Sequence, residues 1–312
     1  MYRVLKWSAV WFLICFVLFL AACGERSEQT EKEDVIHVVT TIAQIGEPLS
    51  VIGGDRVQVE SLMGPSVDPH LYNPTQSDMA RVDEADIIFY NGLNLEANMT
   101  DMFQQLGASK PVLAVGEVIP EEALLKDEQG AIDPHIWFDI DLWKQALDQA
   151  VEELKTYAPE DKNFFEKNKS EYFERLDELK KEAEKLREIP ESRRILVTAH
   201  DAFGYFGRMH QMEVIGLQGL STEDEIGVSD INDTIAIIKE HQVPAIFVET
   251  SINQDSIKAV IEGAANEGAD VKLGGELFSD AMGDPNTEEG TYIGMYRHNV
   301  NTIYDALQGG ID

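Results

Sequence analysis

From residue 35 onward, short runs of β-branched and aliphatic residues alternate with longer stretches whose apolar positions recur every three or four residues. The runs at 35–41, 57–62, 87–90 and 112–115 read as buried strands, with a helix such as 73–84 between them. The alternation returns after residue 190, with strands expected at 195–198, 213–217, 245–249 and 271–273 and helices at 229–241 and 255–267. Runs that are apolar throughout belong to strands covered on both faces, so the pattern predicts an α/β protein of two lobes with parallel-type sheets. Between the lobes lies a helical stretch broken at Ala158 and Pro159. Its second part, 160–189, puts Phe165, Asn168, Tyr172, Leu176, Leu179, Ala183 and Leu186 on one stripe. That spacing predicts an amphipathic helix of about thirty residues, on the order of 45 Å long, closed by Pro190. Lys180, Lys181, Glu184 and Lys185 on its other face read as solvated. The expected boundaries are 35–158 for the N-terminal lobe, 159–190 for a connecting helix and 191–312 for the C-terminal lobe. Ligands of open α/β sheets bind at the carboxyl ends of strands, which directs attention to the cleft between the lobes.

The first 34 residues follow a different pattern. Arg3 and Lys6 precede an apolar run from Trp7 to Leu20 that ends in Leu20, Ala21, Ala22 and Cys23. As a helix this run would reach about 21 Å, short of the roughly 30 Å hydrocarbon core, so it reads as the h-region of a signal peptide occupying 1–22. Small residues before Cys23 and Gly24 after it look like the lipobox of bacterial lipoproteins, in which the cysteine is lipidated. Residues 25–34 are polar without apolar period, and 23–34 reads as a lipid-anchored tether. The expected location is the extracytoplasmic face of the cell membrane.

Charge and cysteine content narrow the chemistry. With 57 Asp and Glu against 25 Lys and Arg, the net charge of −32 disfavours phosphate backbones and excludes nucleic acid as a partner. The two cysteines, Cys15 and Cys23, both precede the folded body, so a metal held there must use His and carboxylate.

Seven histidines are available. Two occupy a repeated tripeptide, Asp68-Pro69-His70 and Asp133-Pro134-His135, where proline stiffens the backbone just before the imidazole. A pair of imidazoles presented from matched stiff turns suits metal ligation, because little ordering entropy remains to be lost on binding. His200 follows the strand at 195–198, on the ligand-facing edge of the second lobe, where a capping or core histidine is the other reading. Asp280 lies in a loop after the last expected strand, as a possible ligand or an ordinary N-cap. His37, His210, His241 and His298 lack a matched motif and are assigned to structure. The acidic tract 222–225 reads as solvated surface.

The segments around these residues resemble a known family in order and over roughly 35–308. Pro69-His70-Leu71-Tyr72, Asp133-Pro134-His135-Ile136-Trp137-Phe138, 197–206 (VTAHDAFGYF), 277–283 (LFSDAMG) and Gly290-Thr291-Tyr292 through Asn299 are similar to the cluster A-I, metal-specific solute-binding lipoproteins of ABC transporters. Within these they are most similar to the manganese-binding lipoproteins of Gram-positive bacteria. The resemblance implies two (β/α)4 lobes joined by one rigid backbone helix, with one metal ion per chain bound between them. It places the ligands on His70, His135, His200 and Asp280. It also implies delivery of the ion to a membrane permease, by a protein expected to act as a monomer. Many manganese-selective members have Glu where this chain has His200, whereas zinc-uptake members usually insert a His-rich loop where 117–132 is short, acidic and free of histidine. Three imidazoles and a carboxylate are good zinc donors, but bidentate binding by Asp280 would raise the coordination number to one that strains Zn²⁺. Mn²⁺ is the expected cargo and Zn²⁺ the alternative. Glu249, at a strand end, is a candidate to accept the free ring N–H of a ligating histidine, with a simple loop-facing carboxylate as the other reading.

Two other classes compete. A secreted metallohydrolase could use the same residues, but no HExxH, GxSxG or P-loop occurs, and the chain is not expected to be an enzyme. A surface adhesin on the same fold is the other alternative.

Overall fold

The strands form within a few residues of their expected bounds, in a computed structural model that describes residues 35–309. The expected signal peptide and the whole tether, Cys23 included, lie outside the described residues. In the first lobe β1 (Ile36–Thr40) leads into α1 (Ala43–Gly53), β2 (Val57–Ser61) into α2 (Gln76–Glu84), and β3 (Ile87–Tyr90) into α3 (Thr100–Leu106). The chain then forms β4 (Val112–Ala114) and α4 (Ile140–Tyr157). All strand pairs are parallel, in the order β2-β1-β3-β4. Ile87, Ile88 and Phe89 of β3 are wholly buried, as a strand between two neighbours and two helical layers must be.

After the connecting helix α5 (Lys162–Ala183), the second lobe repeats the scheme with β5 (Ile195–His200), α6 (Gly204–His210), β6 (Glu213–Gln218) and α7 (Val228–His241). It continues with β7 (Ala245–Glu249), α8 (Asp255–Asn266), β8 (Lys272–Leu277) and α9 (Tyr292–Leu307). The two (β/α)4 lobes are therefore borne out, with one refinement. The second-lobe strands ladder as two parallel pairs, β5-β6 and β7-β8, with β5 lying beside β7. A register shift in the second pair, with Ile246 opposite Leu273 but Phe247 opposite Gly275, leaves Gly274 as the extra residue. Gly275 meets this bulge with φ +141°, a backbone that side chains rarely adopt. The shift brings Leu277 opposite Glu249, aligning the two strand ends that matter below.

The connecting segment corrects the expectation of one thirty-residue helix over 159–190. Pro159–Asp161 forms a 3₁₀ turn, α5 spans 22 residues, about 33 Å, and the chain tightens to 3₁₀ over Glu184–Glu188. The stripe is also rotated slightly. Lys169 takes an inward position, its ammonium 2.5 Å from Asp148 Oδ1 and 2.9 Å from Glu166 Oε2, while Asn168 is half-buried and donates to Ile52 O at 2.9 Å. A periodicity count cannot anticipate this, because a lysine inside an acid-rich bundle is stabilised by its partners.

Rigidity comes from more than this helix. It packs against α1 of the first lobe and α9 of the second. One hydrophobic core runs through both lobes. Phe138 stacks on Phe203 with ring centroids 4.6 Å apart, and Tyr292 and Tyr296 of α9 donate to the carbonyls of Trp137 and Phe138 at 2.6 and 3.1 Å. Swinging the lobes apart would expose several aromatic side chains, each costing about 2 kcal/mol, so wide hinge motion is disfavoured.

His210 is part of this interlobe core. Its Nε2 lies 2.8 Å from Tyr296 Oη, and burial, aided by the nearby cations Arg187 and Lys180, pushes its pKa down to about 4. Between pH 6.5 and 4 the unfolded chain binds a proton here that the folded chain refuses, so stability falls as pH drops through this window, by on the order of 3 kcal/mol in full. In chelator-treated protein, the urea midpoint of His210→Gln should therefore fall less between pH 6.5 and 4.5 than that of the unsubstituted chain. Equal falls would contradict this assignment.

Candidate metal centre

Four side chains from four separate segments meet where the two lobes face each other. His70 comes from the loop after β2, and His135 from the segment before the 3₁₀ turn Ile136–Phe138. His200 is the last residue of β5 rather than the loop residue after it, and Asp280 lies in the loop following β8. In both Asp-Pro-His motifs the aspartate folds back to accept the histidine's own backbone N–H at 2.9 Å, His70 on Asp68 and His135 on Asp133. Proline removes a competing donor, so this local turn fixes each imidazole before any tertiary contact forms.

All four candidate ligands are buried, and one ligand atom from each lies within 4.8 Å of the others. The three imidazole centroids form a near-equilateral triangle of 5.3, 5.5 and 6.0 Å. His70 Nε2 is 3.4 Å from His135 Nε2. Asp280 presents both oxygens to the triangle, Oδ1 at 3.3 Å from His135 Nε2, and Oδ2 at 3.2 Å from His200 Nε2 and 3.7 Å from His70 Nε2. Ligands about 2.1 Å from a central ion at tetrahedral angles stand about 3.4 Å from one another. These spacings match that figure.

Two of the three remaining ring nitrogens lie close to carboxylate oxygens. His135 Nδ1 is 2.7 Å from Asp133 Oδ1. His200 Nδ1 is 2.7 Å from Glu249 Oε2, and Glu249 Oε1 accepts from His200 N at 3.0 Å. Glu249 lies at the end of β7, beside the last residue of β5. With Nδ1 turned toward a carboxylate, each Nε2 is left to face the centre. Asp133 plays the corresponding part for His135 and was not anticipated, although an aspartate two residues before a ligating histidine is a readable signal once Asx turns are considered. His70 gains no carboxylate of this kind from Asp68, whose second oxygen instead accepts from Thr222 Oγ1 at 2.6 Å, across the cleft. His37, His241 and His298 lie away from the cluster, as expected, and His210 belongs to the core described above.

The electrostatics follow from burial and neighbours. Burial pushes His70 down to about 3, only partly offset by Asp280, so its imidazole is neutral. Burial would lower His135 too, but Asp133 and Asp280 carry it up to about 9. For His200, Glu249 and Asp280 overcome burial and raise the pKa well above 6.5. Burial alone would raise Asp280, yet His200 and His135 hold it well below the ordinary carboxylate range. Asp280 Oδ1 and Oδ2 and His200 Nε2 are buried and have no hydrogen-bond partner among the described residues. Such buried atoms call for a ligand, and the donor set of imidazole nitrogens and carboxylate oxygens suits a divalent transition metal.

A cavity of about 920 Å³ opens on His70, lined also by Leu93, Pro134 and Leu220, with Asp127 and Asp224 among its walls. His70 is thus the candidate ligand on the side of solvent, and the two carboxylates favour cations at the mouth.

Known proteins share the sequence and the fold of this chain. The family described as zinc-uptake complex component A, periplasmic, matches residues 38–306. The chain is 44% identical to the manganese-binding lipoprotein MntA of Bacillus subtilis (strain 168), covering 95% of this chain and 99% of that protein. It is likewise 44% identical to the zinc-binding protein TroA of Treponema pallidum (strain Nichols), covering 93% of this chain and 94% of that protein. The solved structure of the periplasmic zinc binding protein TroA from Treponema pallidum superposes with a TM-score of 0.86 at 43% identity, covering 88% of this chain and all of that one. Relatives named for manganese and for zinc are equally similar. The chain belongs to the zinc-uptake complex component A family and is a metal-binding substrate-binding protein of an ABC transporter, not an enzyme.

Proposed function

We propose that this protein captures one divalent ion, Mn²⁺, between His70, His135, His200 and Asp280 and delivers it to an ABC-transporter permease. It would do so as a monomer on the extracytoplasmic face, anchored through a lipid on Cys23. The observation that carries the reading is Asp280: both its oxygens are turned to the imidazole triangle, unpaired by any other donor. Used together they make five donors, a number that suits Mn²⁺ better than tetrahedral Zn²⁺. The acidic, histidine-free segment 117–132 supports the same choice. Zn²⁺ is favoured by one specific observation, the three-imidazole donor set, and by its higher general affinity for nitrogen ligands. Neither alternative class gains support. Two carboxylates beside the cluster that could serve as a general base, Asp133 and Glu249, are turned to histidines instead.

Competitive titration of metal-stripped protein with Mn²⁺ and Zn²⁺, read as bound metal by mass spectrometry, tests the reading. One ion per chain, lost in both His70→Ala and Asp280→Ala, is the expected result, with Mn²⁺ retained at physiological metal ratios. Exclusive zinc occupancy would assign zinc as cargo, and no stoichiometric metal would overturn the proposal. Glu249→Gln keeps the shape but removes the charge that orients His200, and should weaken ion affinity about 10- to 100-fold. An unchanged affinity would leave Glu249 a bystander. Because the lobes share one core, small-angle scattering should show nearly the same radius of gyration with and without metal. A change of several ångströms would contradict the rigid-body reading.

A further inference from the structure

Among the described residues the oxygens of Asp280 face imidazoles and have no hydrogen-bond partner, so what else holds the carboxylate acts through its backbone. Beyond the end of β8 at Leu277, consecutive residues are pinned in turn. Asn299 of α9 clasps Phe278 with both amide atoms: its Nδ2 donates to Phe278 O at 2.6 Å, and Phe278 N donates to its Oδ1 at 2.9 Å. Ser279 Oγ lies 3.3 Å from Ser251 Oγ. The Ser279 carbonyl accepts from two donors of the opposite lobe, Gln44 Nε2 and Trp137 Nε1, each at 3.2 Å. Gln44 belongs to α1, and Trp137 stands two residues after His135. Gln44, Trp137, Ser279 and Asn299 are all fully buried.

Gln44 is costly where it stands. Its Oε1 is buried with no hydrogen-bond partner among the described residues. An orphaned buried acceptor is destabilising. On a helix face that otherwise presents Ile45, Leu49 and Ile52 to the core, an apolar side chain would avoid that cost. The amide does one thing that an apolar residue cannot, which is to donate to the carbonyl preceding Asp280. A polar group retained against stability points to a role in the site.

We propose that Gln44 is a positioning residue for Asp280 that tunes the choice between Mn²⁺ and Zn²⁺. Together with Trp137 it holds the Ser279 carbonyl from the first lobe, and so holds the Asp280 carboxylate with both oxygens toward the imidazoles. With that hold intact, three nitrogens and two oxygens surround the centre. When it is relaxed, the carboxylate turns to offer one oxygen, and the donor set becomes the tetrahedral one that Zn²⁺ takes readily. This inference rests on the reading of the four residues as ligands.

The test compares Mn²⁺ and Zn²⁺ dissociation constants, by competition, for the unsubstituted protein, Gln44→Met, Trp137→Phe and Asp280→Ala. Gln44→Met keeps length and burial while removing the donor and the orphaned oxygen, so the fold is retained. Its Mn²⁺ affinity should fall about tenfold or more, its Zn²⁺ affinity much less, and the electron paramagnetic resonance line shape of bound Mn²⁺ should change. Trp137→Phe, which removes the second donor within an aromatic pocket, should move the ratio in the same direction and carries the test if Gln44→Met fails to fold. Equal losses for both ions, or an unchanged ratio, would overturn the positioning role. Retention of both ions by Asp280→Ala would instead sink the ligand reading itself, so the two failures are distinguishable.

Discussion

A carboxylate buried among imidazoles is the constraint around which both lobes are arranged. An isolated charge in such a place costs several kcal/mol, and a pair of charges repays this only when the contacts are close and the remaining polar atoms are satisfied. Asp280 comes from one lobe and two of its three imidazole partners from the other, so those two contacts exist only while the lobes are closed on each other. The shared aromatic core holds them there, and the carboxylates Asp133 and Glu249 hold the rings at the correct rotation.

The carboxylates beside His135 and His200 favour the protonated imidazole, whereas burial opposes it at His70. Ligand nitrogens must be deprotonated to bind an ion, so acid works against loading.

Much of this was legible in the sequence, for identifiable reasons. Strands buried on both faces write themselves as continuous apolar runs, so β3 and β7 were read at their observed bounds. The Asp-Pro-His repeats were visible because their geometry is local: proline and an Asx turn fix His70 and His135 within three residues. His200 and Asp280 were weaker on spacing alone, because their significance depends on β5 lying beside β7 and on where the β8 bulge delivers the following loop. The pairing of Glu249 with His200 is likewise set by strand order. Gln44 could not be read at all, since a single amide on an apolar helix face signals nothing until its partner is seen 235 positions away. The length of the connecting helix was overestimated because apolar periodicity continues through Leu186, and three- and four-residue spacing does not distinguish a tightening 3₁₀ turn from another α turn.

Capture and release make opposite demands on such a structure. Capture is served by rigidity: preformed ligands lose little entropy, and carboxylates at the mouth draw cations toward His70. Release cannot rely on swinging the lobes open, because that would expose the Phe138, Phe203 and Phe206 cluster and break the bonds from Tyr292 and Tyr296. The less costly route is local. Beside the contacts of its carboxylate with His70 and His135, the Asp280 loop is tied to the first lobe by two neutral hydrogen bonds on the Ser279 carbonyl, each with a net worth of about 1 kcal/mol. Displacing that short loop would remove one or both oxygens from an ion while leaving the aromatic core intact. The point at which the site is most finely positioned is therefore also the point at which it is most easily undone.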